Sequence, residues 1–205
     1  RILSQIVEFR NSESGSHVLH IEKLTEMLMN RLIHKTDRYN IDPVQQDLIP
    51  IASALHDIGK IGIDEKILNK PGKLTPEEFE KMKQHSVIGE AILTSTKANT
   101  NEPLIKIASQ ICRWHHERYD GRGYPDGLKG DEIPICAQIV SLADVYDALT
   151  SERVYKKAFS HEQTMEMIQT GQCGAFNPIL LECLADIQDD VKRELLSDKE
   201  KNQTS

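Results

Sequence analysis

Histidine and aspartate carry the chemical information in this sequence. Eight histidines are present: His17, His20, His34, His56, His85, His115, His116 and His161. A lone histidine is more often a surface or core residue than a ligand, so the argument rests on grouping. His56-Asp57 ends an apolar stretch and is followed by Ile58-Gly59-Lys60. Imidazole and carboxylate together suit iron, manganese, zinc and similar divalent ions, although a His-Asp dipeptide alone often arises by chance. Gly59 permits a tight turn that would aim Lys60 back at the site. His85, then His115-His116, then Asp144 follow at gaps of 28, 30 and 28 residues. Each gap lets one helix leave and another return, so ligands from several helices can meet inside a bundle. Neighbouring His115 and His116 point about 100° apart on a helix and can serve two different ions. Asp144 and Asp147 share one face of an otherwise apolar helix, where an unpartnered carboxylate would be costly. Glu13 and His17, four apart, could present two ligands to one ion. Gly15 weakens that helix by roughly 1 kcal/mol, and helix capping by Ser12, Ser14 or Ser16 explains the stretch equally well.

These residues need helices to position them, and helical periodicity dominates the chain. Val18, Ile21, Leu24, Leu28 and Leu32 lie at three- and four-residue spacings over 18–33. Asp42-Pro43 reads as an N-cap and first helical residue, opening a helix through Leu48, Ile51, Ala52 and Leu55. Pro71-Gly72 breaks the chain. Thr75 and Glu78 form a capping box. Further helical patterns cover about 85–97, 103–116, 134–150, 160–171 and 178–195, with a Gly- and Pro-rich loop over 117–134. No run alternates convincingly enough for a strand. The expectation is a single all-α bundle of six to eight helices over 12–195. Residues 1–11 form a lead-in helix, with Ile2, Ile6 and Phe9 on one side, that joins an upstream domain or pairs with a second copy. Residues 196–205 form a polar tail. Trp114 is expected in the core.

Composition agrees with this architecture. The 205 residues are 39% hydrophobic and 28% charged, ordinary for a globular domain, and suffice for one core without staples. No apolar run approaches the ~18 residues of a membrane span. The net charge of −7 and the lack of a basic run argue against a DNA or RNA polymer as partner. A small anionic substrate remains open if metals or local cations compensate. Cys112, Cys136, Cys173 and Cys183 include no Cys-x-x-Cys pair; they read as buried small residues in a reducing cytoplasm. The chain does not open with Met and reads as part of something longer.

Taken in order, the motifs resemble the HD-GYP domain, a subgroup of the HD superfamily of metal-dependent phosphohydrolases. The resemblance spans about 8–185. It rests on Glu13-Ser-Gly-Ser-His17, His56-Asp-Ile-Gly-Lys60, Lys70-Pro-Gly-Lys-Leu-Thr75, His85 with Gly89, His115-His-Glu-Arg-Tyr-Asp-Gly-Arg-Gly-Tyr-Pro125, and Asp144-Val-Tyr-Asp-Ala-Leu-Thr-Ser-Glu-Arg-Val-Tyr-Lys156. It implies hydrolysis of cyclic di-GMP to pGpG, and often onward to GMP, by activated hydroxide. It implies two or three divalent ions, iron or manganese foremost. The implied ligands are His17, His56, Asp57, His85, His115, His116 and Asp144, with Glu13 added where a third ion is held. Asp57 is the implied bridge. Lys60, Arg153 and Lys156 are the implied phosphate contacts, with Tyr124 and Asp147 also expected at the substrate; Lys60 could equally be structural. The Gly123-Tyr124-Pro125 loop lines or supports the site and is linked to docking of a protein partner. Three positions depart from the family pattern. His20 stands where Arg is common, Gln138 where Arg is frequent, and Asn177 where Asp is usual.

Overall fold

The computed structural model describes residues 16–95, 102–152 and 157–196. The proposed lead-in helix and polar tail therefore lie outside the described residues, apart from Leu196. Among the described residues nine α-helices follow in order. They are α1 (His17–Lys35), α2 (Pro43–Ser53), α3 (Glu65–Leu68), α4 (Pro76–Thr94), α5 (Pro103–Trp114), α6 (Ile135–Thr150), α7 (His161–Gln169), α8 (Pro178–Asp186) and α9 (Gln188–Val191). A 3₁₀ turn covers Ile58–Gly62. The only β pairing among the described residues is one bridge between Asp120 and Lys129. The all-α expectation is met.

Local chemistry sets most boundaries. Capping boxes at Asp42/Gln45, Thr75/Glu78 and Ser160/Gln163 start α2, α4 and α7, each satisfying orphan N–H groups at a helix start. Proline at the first position helps open α2, α4, α5 and α8. The helix expected over about 85–97 is, over 85–94, the second half of one continuous helix, α4, because nothing between Thr75 and Thr94 stops it; residues 96–97 lie outside the described residues. The pattern over 178–195 is instead divided into α8, α9 and a π-helical turn (Lys192–Leu196).

Helix α6 is the axis of the bundle. It is buried on nearly all sides, through Ile139, Val140, Leu142, Ala143 and Tyr146, as befits a helix apolar all round. Helix α1 packs Ile21, Leu24, Leu28 and Leu32 into the same core, with Ile49 and Ala52 of α2, Ala108 and Ile111 of α5, and Leu180 and Leu184 of α8. Cys112, Cys136 and Cys183 are buried as expected, whereas Cys173 is half-buried. No described helix is long and apolar enough to cross a membrane.

Two of the departing positions meet inside this bundle. The Asn177 side-chain amide donates to Gln138 Oε1 at 2.9 Å and to the Tyr39 hydroxyl at 2.7 Å. Gln138 Nε2 donates to the Ile133 carbonyl. Both side chains are buried, so a neutral amide pair joins α6 to the start of α8. An Asn177→Asp change places a charge against a neutral acceptor and should cost roughly 1–3 kcal/mol. Gln138→Arg in the same chain should recover part of that loss. Chemical denaturation of the three variants measures both.

Gly59 and Gly89 allow a close backbone approach in the bundle. A Cβ on Gly59 would lie 1.8 Å from the His85 carbonyl oxygen and 2.5 Å from the Gly89 nitrogen. Gly59 is thus required by packing of the 3₁₀ turn against the α4 backbone. The tight turn expected at Gly59 is this 3₁₀ turn, and it does aim Lys60 back at Asp57; the glycine itself is required by the close packing rather than by a left-handed φ. Gly59→Ala should cost roughly 1–3 kcal/mol and lower Tm by about 3–10 °C. Gly89→Ala meets the Cys112 side chain at 3.2 Å and the Gly59 nitrogen at 3.3 Å, both milder than the Gly59 clash, and should cost less. Thermal melts of both variants test the order.

Candidate metal centre

Among the predicted ligand histidines, His17 starts α1, His56 follows the end of α2, His115 and His116 follow the end of α5, and His85 lies within α4. Helix α2 stops at Ser53, and the Ser53 carbonyl accepts from both the backbone N–H of His56 at 3.2 Å and its Nδ1 at 2.8 Å. His85 Nδ1 donates to the Met82 carbonyl at 2.7 Å. His115, at the end of α5, donates from Nδ1 to the Ile111 carbonyl at 2.9 Å, with the Cys112 carbonyl at 3.1 Å. His17 Nδ1 donates to Asp147 Oδ2 at 2.7 Å. In all four the outer nitrogen carries the proton, which leaves the Nε2 lone pair facing inward in the neutral ring. Hydrogen bonds of this kind, made by the nitrogen that faces away from the ion, orient metal-ligating imidazoles.

The inward atoms converge in two groups that share Asp57. One comprises Asp57, His85, His115 and His116; the other His17, His56 and Asp57. Within each, one atom from every residue lies within 4.8 Å of all the others. Asp57 Oδ1 is 3.4 Å from His85 Nε2 and 3.9 Å from His115 Nε2. Its Oδ2 is 3.2 Å from His56 Nε2. Asp144 Oδ1 lies 4.0 Å from His17 Nε2 and 3.9 Å from His56 Nε2, beside the second group. His56 Nε2, His115 Nε2 and Asp57 Oδ1 are buried without a hydrogen-bond partner. Such groups are costly unless something satisfies them. Nitrogen and carboxylate donors around one shared carboxylate fit divalent metal ions, so these side chains suit a metal centre.

Electrostatics divides the centre. Burial opposes charge on His56, but the Asp57 and Asp144 carboxylates outweigh it and raise its pKa to about 9. His17 is likewise raised against burial, through its bond to Asp147. His115 and His116 are held well below the usual histidine range by burial and by neighbouring imidazoles. Burial also lowers His85. These three rings are neutral near pH 7, the form that ligates metal. Burial works against the Asp57 carboxylate, yet Lys60 and His56 keep it ionised, well below its ordinary range. Lys60 Nζ is 2.7 Å from Asp57 Oδ2.

Other expected residues fall in different places. Asp147 was expected at the substrate; it is buried behind the ligands, where its two oxygens hold His17 and His20, the latter at 2.9 Å. His20, to which the sequence assigned no role, thereby helps orient a predicted ligand. Tyr124 stacks on His116 at a centroid distance of 4.7 Å and 26°. Glu13, Arg153 and Lys156 lie outside the described residues.

The loop after His116 is tied down by residues that carried no sequence signal. Glu117, buried, accepts from the backbone N–H of Asp126 at 2.7 Å and of Gly127 at 3.0 Å. Trp114, expected in the core, is half-buried instead and donates its indole N–H to Asp126. Arg113 bonds the same carboxylate. Gly123 passes so close to Glu117 and Arg118 that a Cβ would come within 2.4 Å of their backbone. Lys70 pairs with Glu78, the capping residue of α4, so that motif acts as a clip on the chain.

Comparisons with known proteins agree with this arrangement. The family model described as "HD domain" matches residues 1–178. A probable cyclic di-GMP phosphodiesterase of Vibrio cholerae is 42% identical over 184 residues, 88% of this chain and 42% of that protein. A cyclic di-GMP phosphodiesterase of Thermotoga maritima is 38% identical over 190 residues, 93% of this chain and 49% of that protein. A 3'3'-cGAMP-specific phosphodiesterase of V. cholerae is 39% identical over 188 residues, 92% of this chain and 34% of that protein. The solved structure of Bd1817, an HDG"Y"P protein from Bdellovibrio bacteriovorus, shares the fold. Its TM-score is 0.61 at 23% identity, over 84% of this chain and 51% of that one. The chain belongs to the HD domain family and carries the ordered motifs of its HD-GYP branch. It spans less than half the length of these curated relatives.

The shared hydrogen bonds of Asp147 give a test. Loss of an outer partner of a metal-bound histidine typically costs 10–100-fold in affinity. Asp147→Asn should weaken the ion held by His17 by about that factor and leave the Asp57/His85/His115/His116 group loaded. Chelator competition followed by metal counting reads the difference.

Proposed function

We propose that this chain is the catalytic domain of a phosphodiesterase that hydrolyses cyclic di-GMP to pGpG, and onward to GMP. The observation that carries this reading is the sharing of Asp57 by two histidine groups, with the Lys60 ammonium beside it and the Gly123-Tyr124-Pro125 loop stacked on His116. The relatives named as cyclic di-GMP phosphodiesterases support the choice of substrate. His17, His56, Asp57, His85, His115, His116 and Asp144 hold two ions of iron or manganese, and Glu13 contributes to a third. Metals bound there supply a nucleophile active at neutral pH and neutralise phosphoryl charge.

The chain's own residues do the rest. Asp57 keeps the two ligand groups in register. Asp147 and His20 fix the ring of His17. Lys60 brings a positive charge, and a transferable proton, to the phosphate under attack. The nucleophile's oxygen bonds to phosphorus, the P–O3′ bond breaks, and the 3′-oxygen leaves with a proton. Arg153 binds a phosphate bidentately and Lys156 acts as a point charge. Tyr124 walls the substrate on the His116 side. A second reading, hydrolysis of a mixed cyclic dinucleotide, is favoured by the relative named 3'3'-cGAMP-specific phosphodiesterase. Turnover of the two substrates side by side by anaerobically purified protein, with product and metal analysis, decides between them. No turnover of either by metal-loaded protein would make the domain a silent binding module.

Asp57→Ala and His56→Ala should abolish turnover. Arg153→Ala and Lys156→Ala should each raise KM and lower kcat/KM about tenfold or more, because a charged phosphate contact contributes roughly 1.5–3 kcal/mol. Their metal content should stay constant. Glu13→Gln should keep about two ions and part of the activity, as counted by anomalous scattering; two ions in the saturated wild type would refute a third site.

A further inference from the structure

A small aromatic and cationic surface continues outward from His116. Tyr124 stacks on His116, and Phe79 of α4 meets Tyr124 edge-on, with centroids 6.3 Å apart at 81°. Phe79 is 46% exposed, which is unusual for a phenylalanine beside a buried polar centre. Lys83, one helical turn along the same face, places its Nζ 5.1 Å from the Phe79 centroid and 5.5 Å from that of Tyr124. Its salt bridge to Glu80 pairs a half-buried lysine with a side chain 68% exposed, and a pair open to water on the carboxylate side contributes little. The ammonium therefore stands at the rim of the aromatic surface, available to a ligand that lies against it. An exposed ring, a second ring leading to a predicted metal ligand, and one cation form an arrangement suited to a heterocycle with acceptor atoms on its edge.

We propose that Phe79 and Lys83 form a purine subsite at the mouth of the metal centre, in which Phe79 stacks the base and Lys83 selects guanine over adenine. This inference rests on the cyclic dinucleotide reading and adds two residues to it. Guanine offers O6 and N7 as acceptors to a lysine, whereas adenine replaces O6 with an N6 amino group that donates. An ammonium can only donate, so it is matched to guanine and set against adenine's amino group. Stacking on Phe79 is indifferent to the base, since every base has a π-face. The two residues thus have separable effects, one on affinity for any purine and one on the choice between purines.

The test uses metal-loaded protein and a cyclic dinucleotide carrying 2-aminopurine, whose fluorescence falls on stacking. Phosphorothioate analogues of cyclic di-GMP and cyclic di-AMP, which resist hydrolysis, are then used as competitors. Wild type and Phe79→Tyr should quench the probe. Phe79→Ala should lose the quench and bind both competitors about tenfold more weakly. Lys83→Met should keep the quench and reduce the preference for the guanine competitor about tenfold. Circular dichroism melts establish that all three variants fold. Absence of quenching by wild type, or an undiminished quench in Phe79→Ala, overturns the stack. An unchanged guanine preference in Lys83→Met overturns the selection. Failure of wild type to hydrolyse cyclic di-GMP with quenching intact would instead overturn the phosphodiesterase reading and leave the subsite standing.

Discussion

The structure depends on keeping unsatisfied polar atoms of imidazole and carboxylate inside an apolar bundle. His56 Nε2 and His115 Nε2, with Asp57 Oδ1, are buried without hydrogen-bond partners. Left alone, such atoms oppose folding. Each ring is nevertheless locked by its outer nitrogen, to the Ser53 carbonyl for His56 and to the Ile111 carbonyl for His115. Those carbonyls lie in the last turns of α2 and α5, where each also accepts the backbone N–H of the same histidine. The ring orientation of both therefore follows from where α2 and α5 terminate. Asp57 is the common member of both ligand groups, so displacement of the 3₁₀ turn that follows it would disturb both together.

That turn is seated by backbone contact. Gly59 lies against the His85 carbonyl and Gly89, while Cys112 packs over Gly89 from α5. Three segments far apart in sequence thus approach through glycines, and His85, Asp57 and His115 are carried within reach of one another. On the other side, Asp147 draws His17 of α1 toward α6 and is balanced by His20. A lone carboxylate in that position would be expensive; two imidazoles share its cost.

Beyond the ligands, the loop over 117–127 is rigidified by polar bonds to its own backbone. Glu117 holds the Asp126 and Gly127 N–H groups, and Asp126 is gripped by Arg113 and Trp114. This anchoring fixes Tyr124 against His116 and so links the ligand cluster to the exposed Phe79. Elsewhere, Gln138 and Asn177 depart from the family pattern together and bond to each other. A neutral pair avoids the desolvation cost that a buried ion pair would carry.

Much of this was legible in the sequence. The helical periodicity of α1 and α6, the N-cap of α2, the capping box of α4, and the ordered motifs from His56-Asp57 to Asp144 needed no coordinates. Those signals are local, because caps act over three residues and helix faces repeat every three or four. The resemblance supplied the ligand set, but spacing alone left Glu13 and His17 open to a capping explanation. Only tertiary structure showed Asp147 behind the ligands, joined to His20, since the two residues lie 127 positions apart. It likewise assigned Gly59 to packing against the α4 backbone and moved Trp114 from the core to the Asp126 carboxylate. Sequence determines which side chains a helix offers and where it can end. The direction each polar atom faces is decided by which distant backbone or carboxylate can satisfy it once the helices have packed.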